Sequence, residues 1–175
     1  VVAEAAAVYT SNKVKGAPLI LTKKHLEDGK AQAIIINSGV ANVCTGRKGL
    51  DDANETARAA AEELGINAND VLVASTGLIG PYLPMDKIKK GLKKIKKELS
   101  ADSDVAKAIM TTDTAEKEIA VRVGNFTIGA IAKGSGMIHP NMATMLCFIT
   151  TDAKVPPKKL GILLKNSVKV SFNMM

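Results

Sequence analysis

A mixed α/β fold, a mixed β-sheet with packed helices, is what this 175-residue sequence predicts. Short β-branched runs such as Ala33 to Asn37 (AIIIN) alternate with segments of helical period through most of the chain. No repeat and no low-complexity linker interrupts the alternation. A hydrophobic content of 46% with 23% charged residues supplies the core that such a fold needs. The longest apolar stretches are strand-sized, short of the roughly 18–20 residues of a membrane-spanning helix, so the sequence reads as a soluble protein.

Taken in order, Ala5 to Tyr9 and Pro18 to Thr22 read as short strands about a turn at Ser11-Asn12, and Ala33 to Asn37 as a buried strand followed by a loop of small residues. Asp51 to Leu64 (DDANETARAAAEEL) predicts a helix, with Asp51 as N-cap, acids in the first turn, an alanine stripe for close packing and Gly65 beyond the end. Val71 to Ala74 is a strand entering the turn Ser75-Thr76-Gly77-Leu78-Ile79-Gly80, whose glycines permit close backbone approach. Ile88, Leu92, Ile95 and Leu99 recur at helical spacing and mark an amphipathic helix. Val105 to Met110 reads as a short helix feeding the polar knot Thr111-Thr112-Asp113-Thr114, and Glu118 to Val123 with Phe126 to Ile131 as a hairpin across Gly124-Asn125. Lys133 to Thr144 follows as loop, Leu146 to Thr150 as strand, and Asp152, Pro156 and Pro157 open a last helix carrying Leu160, Leu163, Leu164 and Val168.

The net charge of +7 is concentrated in one place. Between Asp86 and Glu98 seven lysines face two acids, a local +5, and they occupy the solvent side of the amphipathic helix. Aromatic residues are 3% and Trp is absent, which argues against a nucleic-acid surface built on stacking. The two cysteines, Cys44 and Cys147, are far apart, with no CxxC spacing and no histidine cluster beside them; neither a disulfide framework nor a zinc site is expected. A reducing cytoplasm is the expected compartment, since VVAEAAAVYT has no signal-peptide pattern. The absent initiator Met and the unterminated end at Met175 read as a chain that starts and stops inside a larger one.

Chemistry centres on Lys133 to Leu146, KGSGMIHPNMATML. As a phosphate cradle it lacks the P-loop spacing and the following Lys-Ser/Thr pair. As a metal site it offers His139 alone, with His25 isolated elsewhere. As a nucleophile loop it offers a hydroxyl at the edge of a strand, behind a glycine-containing arm and near a lysine. No Ser-His-Asp set is evident, so the base would be an α-amine on the nucleophile itself, whose reference pKa of about 7.7–8.0 suits proton abstraction near neutral pH. A threonine that is merely the first residue of a strand is the plainer reading.

The same stretch resembles the self-processing signature of the ornithine acetyltransferase family, the glutamate N-acetyltransferases of arginine biosynthesis. YTSNKVKGAP at Tyr9 to Pro18, NSGVANVCTG at Asn37 to Gly46, ASTGLIG at Ala74 to Gly80, MTTDT at Met110 to Thr114 and LCFITTDA running to Ala153 agree with that family in order. The resemblance implies an ornithine-acetyltransferase-like fold, incomplete at both ends, and a cut between Ala143 and Thr144. Residues 1–143 would be the α-chain portion and 144–175 the start of a longer β chain. Thr144 would be the nucleophile, passing acetyl from N-acetylornithine to glutamate through an acetyl-Thr intermediate. Thr76 and Gly77 match the oxyanion-hole pair, and Lys133 and Thr111 match substrate-binding positions, with Thr112 and Thr114 as neighbours of the latter. Asn37 and Asn42 lie in a segment similar to one near that active site.

The resemblance further implies no metal or organic cofactor, acetyl-CoA as an alternative acetyl donor in bifunctional members, and assembly of two α with two β chains into a heterotetramer, with no nucleic-acid or membrane partner. His139 stands where a small residue is more usual and has no assigned role. A related N-terminal-nucleophile hydrolase releasing the acyl group to water, a non-catalytic binding or assembly module, and a lysine-rich nucleic-acid binder are the competing readings. Product analysis without glutamate, covalent acetylation, and salt-dependent binding through Lys87 to Lys97 respectively distinguish them.

Overall fold

A computed structural model describes residues 1–100, 104–136 and 145–174. The elements in order are β1 (Ala3–Glu4), α1 (Ala17–His25), β2 (Lys30–Ala31), β3 (Ala33–Val40), α2 (Gly46–Leu64), β4 (Val71–Leu78), α3 (Met85–Glu98), α4 (Val105–Ala108), β5 (Lys117–Val123), β6 (Phe126–Lys133), β7 (Leu146–Thr151) and α5 (Pro157–Lys169). The mixed α/β class expected from the sequence is what forms. β3 and β4 pair in parallel, joined through α2; β5, β6 and β7 form an antiparallel sheet; β1 and β2 make a short antiparallel pair.

The core lies where α1, α2 and α3 cover β3 and β4. Ala53, Ala57, Ala60 and Ala61 of α2 are buried, and with no side chain beyond Cβ they let the helix approach Val71 and Val73 closely. Leu92 of α3, 3% exposed, seals the other side of α2, with Ile88 packed beside it. The amphipathic reading of α3 therefore holds, although Leu99 lies past the helix and is exposed, and the side chain of Ile95 is outside the described residues. Lys89 reaches across to Glu55 of α2 at 2.6 Å.

Four expectations are corrected. Pro18 to Thr22 is helix, within α1, and Ala5 to Tyr9 is irregular after a strand that ends at Glu4. Pro18 suits a first helical turn, where its missing N–H is no loss, and Lys23, Lys24 and His25 suit the negative end of the helix dipole. The helix also does a strand's work: Thr22 Oγ1 donates to Val73 O at 2.7 Å and accepts from Val73 N at 2.9 Å, and His25 Nδ1 lies 2.8 Å from Val71 O. Side chains of α1 thus satisfy backbone groups of β4 that another strand would otherwise bond.

The second correction concerns α2, which begins at Gly46 and not at Asp51. Asn42, fully buried with φ 53°, packs against that start: its Nδ2 donates to Gly49 O at 2.9 Å and its Oδ1 accepts from Thr45 Oγ1 at 2.7 Å. Asp51 and Asp52 pair instead with Arg47 and Lys48 one turn earlier. Gly65 ends the helix in the left-handed conformation, as the sequence implies.

Third, Ser75 to Leu78 is not a turn but the continuation of β4, with Ser75, Thr76 and Gly77 opposite Asn37, Ser38 and Gly39 of β3. The hairpin across Gly124-Asn125 and the strand at 146 form as expected, each slightly longer. Fourth, Lys133, placed by the sequence at the start of a loop, is the last residue of β6.

Because Leu92 is buried against α2 and Lys90 is exposed on the same helix, Leu92→Ala is expected to cost about 2–4 kcal/mol and Lys90→Ala less than about 0.5 kcal/mol. Urea unfolding of the two variants checks this; equal losses would mean that α3 does not close the core.

Candidate active site

Three chain segments meet at one ammonium group. Lys133, at the end of β6, is 3% exposed. Its Nζ donates to Thr76 Oγ1 on β4 at 3.0 Å and to Thr111 Oγ1, in the turn after α4, at 2.6 Å. Among the described residues no carboxylate lies within ion-pairing distance of this cation. A cation so sequestered is costly unless a negative group joins it, so the arrangement is suited to receiving an anion.

Thr76 is itself buried, and Gly77 beside it is exposed. Gly77 has φ 127° and Gly39, its partner in β3, φ 113°. A Cβ on Gly77 would run into the backbone of Gly39, so only glycine permits this approach of the two strands. An ammonium can only donate; by occupying an acceptor site on Thr76 Oγ1, Lys133 leaves the hydroxyl hydrogen available for another acceptor. A hydroxyl donor followed by a glycine N–H is the type of pair that can stabilise a developing oxyanion.

The turn carrying Thr111 is organised by Asp113, whose side chain is fully buried. Oδ1 accepts from Gly134 N at 2.8 Å and from Lys117 Nζ, and Oδ2 lies 3.5 Å from Thr111 N. Burial pushes the carboxyl up, but the hydrogen bonds from Lys117, Gly134 and Thr111, with the charge of Lys117, outweigh it and hold the pKa at about 2 against an ordinary 3.8. Thr112 Oγ1 and Ser135 Oγ are 3.3 Å apart, and the Cα of Gly136 sits where a side chain would press on Thr112. The arm after Lys133 is therefore laid against the 111–113 turn.

Of the residues singled out in the sequence, Thr76, Gly77, Thr111 and Lys133 come together from distant positions. Ala143, Thr144 and His139 lie outside the described residues. Asn37 and Asn42 are engaged within the protein: Asn37 Oδ1 accepts from Ser75 Oγ at 2.6 Å and its Nδ2 donates to Val40 O, while Asn42 packs against the start of α2. His25 is bonded to β4. Asp113 had no role in the sequence reading beyond its place in the polar knot; the available signal was an acid among three threonines, which does not reveal its partners.

A family model described as the ArgJ family matches residues 1–175. The arginine biosynthesis bifunctional protein ArgJ of Symbiobacterium thermophilum is 53% identical over 97% of this chain and 44% of its own length. The protein of the same name from Staphylococcus aureus is 52% identical over 98% of this chain and 43% of its own. Among solved structures, ArgJ from Bacillus halodurans matches with TM-score 0.68 and 43% identity, covering 82% of this chain and 78% of that one. The ornithine acetyltransferase of Mycobacterium tuberculosis, in complex with ornithine, matches with TM-score 0.77 and 43% identity, covering 80% and 78%. The chain spans less than half the length of the curated relatives it matches.

The depressed Asp113 pKa has a sign that can be measured. The folded value lies below the unfolded one, so the stabilisation is complete above pH 3.8 and is lost as pH falls through about 2. It amounts to about 2 kcal/mol at one pKa unit per 1.36 kcal/mol. The difference in unfolding free energy between wild type and Asp113→Asn should shrink across that window in urea titrations; a difference that stays constant would show that the carboxylate charge is not what is stabilised.

Proposed function

The chain belongs to the ArgJ family, and from that premise we propose that it carries the nucleophile loop and oxyanion pair of an arginine-biosynthetic acetyltransferase that moves acetyl from N-acetylornithine to glutamate. In this reading the precursor cuts itself between Ala143 and Thr144. The Thr144 hydroxyl adds to the acetyl carbonyl while the freed α-amine takes its proton. Thr76 and Gly77 donate to the tetrahedral oxyanion, and ornithine leaves on collecting the proton. The amine of glutamate then attacks acetyl-Thr144, giving N-acetylglutamate and the free threonine. Lys133 and Thr111 bind substrate.

The observation that carries the proposal is the buried Lys133 ammonium between Thr76 and Thr111. Both substrates bear a carboxylate, the group that a sequestered cation lacks among the described residues, and a Thr76 hydroxyl with its hydrogen free is what an oxyanion donor requires. The word bifunctional in the relatives' names favours a second donor, acetyl-CoA, at the same threonine. No membrane-spanning helix occurs among the described residues; a cytoplasmic α2β2 assembly without metal or organic cofactor completes the proposal.

Intact mass of the native gene product under denaturing conditions tests the first step. Two pieces joining at Ala143 and Thr144, with Thr144→Ala left whole, are expected; an uncut wild type after long incubation overturns the mechanism. In the cut enzyme Thr76→Ala should lower kcat about a hundred- to a thousandfold. Omitting glutamate should halt turnover after one acetyl-enzyme equivalent, whereas continued release of acetate would identify a hydrolase.

A further inference from the structure

We propose that Asp113 is the positioning residue of this site, holding the Lys133 ammonium against Thr76 and Thr111 through a buried carboxylate bridge. The inference rests on the acetyl-transfer reading above. Lys133 is the last residue of β6, and the next residue, Gly134, takes φ 137°, a region that side-chain-bearing residues avoid. The chain leaves the sheet there, and its first amide is bonded to Asp113 Oδ1 at 2.8 Å. The same carboxylate faces the backbone N–H of Thr111. One side chain thus ties together the two backbone segments that bear Lys133 and Thr111.

A lysine has four rotatable bonds, and a site that must hold its nitrogen at hydrogen-bond distance from two hydroxyls needs the backbone on either side fixed. Asp113 supplies that fixation without touching the reacting atoms. Lys117 pairs with it from the start of β5 and is 44% exposed on its own side chain. Its part is to offset the charge of the buried carboxylate, not to bridge the segments. Two separable roles follow: the bridge through Gly134 and Thr111 governs geometry, and the ion pair governs stability alone.

The experiment uses the native gene product and measures kcat, KM and Tm for wild type, Asp113→Ala, Asp113→Asn and Lys117→Ala with N-acetylornithine and glutamate. Displacing catalytic groups by about an ångström costs on the order of a hundredfold in rate, so Asp113→Ala should lose about ten- to a hundredfold in kcat. Asp113→Asn keeps an acceptor for Gly134 but turns its amide nitrogen toward the Thr111 N–H, and should recover part of that loss. Lys117→Ala should lower Tm and leave kcat within about twofold. Should Asp113→Ala fail to fold, Asp113→Ser, too short to reach Gly134, carries the same expectation. Wild-type kcat in Asp113→Ala or Asp113→Ser overturns the proposal, as does an Asn variant as impaired as either, or a Lys117→Ala loss in kcat matching theirs. A wild type with no acetyl transfer overturns the functional reading first; one that transfers acetyl while the Asp113 variants keep pace overturns this inference alone.

Discussion

The site depends on the electrostatics of one sequestered cation. Removing an ammonium from water costs several kcal/mol, and hydroxyl oxygens recover only part of that cost. Lys133 is held at 3% exposure between Thr76 and Thr111, next to the Asp113 bridge, with no carboxylate paired to it among the described residues. An ammonium stabilised fully by a protein carboxylate would make a firmer fold and a poorer receptor for a carboxylate substrate.

The rest of the architecture brings the two hydroxyls to that cation. β4 delivers Thr76 because it runs straight through Ser75 to Leu78, and it can do so because Gly39 and Gly77 allow the two parallel strands to continue side by side. α1 then bonds to β4 through Thr22 and His25, which occupies backbone groups of Val71 and Val73 without a further strand. On the other side, Ser38 of β3 donates to Ala108 O at 2.8 Å and so places the end of α4, from which the Thr111 turn departs. The antiparallel sheet contributes Lys133 at the tip of its middle strand. Each partner is positioned by a different unit of secondary structure, and the contacts between them are polar.

Much of the fold was legible locally. The alanine stripe of α2, its Gly65 stop, the Gly124-Asn125 hairpin and the packing side of α3 all follow from spacing and turn chemistry that operate over a few residues. The errors do not all share a cause. PLILT looks like a strand until Thr22 and His25 find β4 some fifty positions later; Asp51 looks like a cap, but the helix already begins at Gly46, beside Asn42; STGLIG looks like a turn until Gly39 faces Gly77. In the first and third cases a partner some forty to fifty positions away overrode a local preference of a kcal/mol or less; in the second the competing contacts were within seven residues.

By itself the sequence determined the mixed α/β class and the concentration of charge on one helix face, because periodicity and residue chemistry are properties of short stretches; Thr76, Gly77, Thr111 and Lys133 stood out only through their resemblance to a family's motifs. Only the tertiary structure decided that Lys133 reaches both Thr76 and Thr111, that Asp113 joins Gly134 to the Thr111 turn, and that Asn42 serves the fold. Those are distances between residues 21 to 57 positions apart, or a choice of partner within a closed space. Hydrogen bonds act over about 3 Å, and nothing in the order of residues along a chain states which groups folding will bring that close.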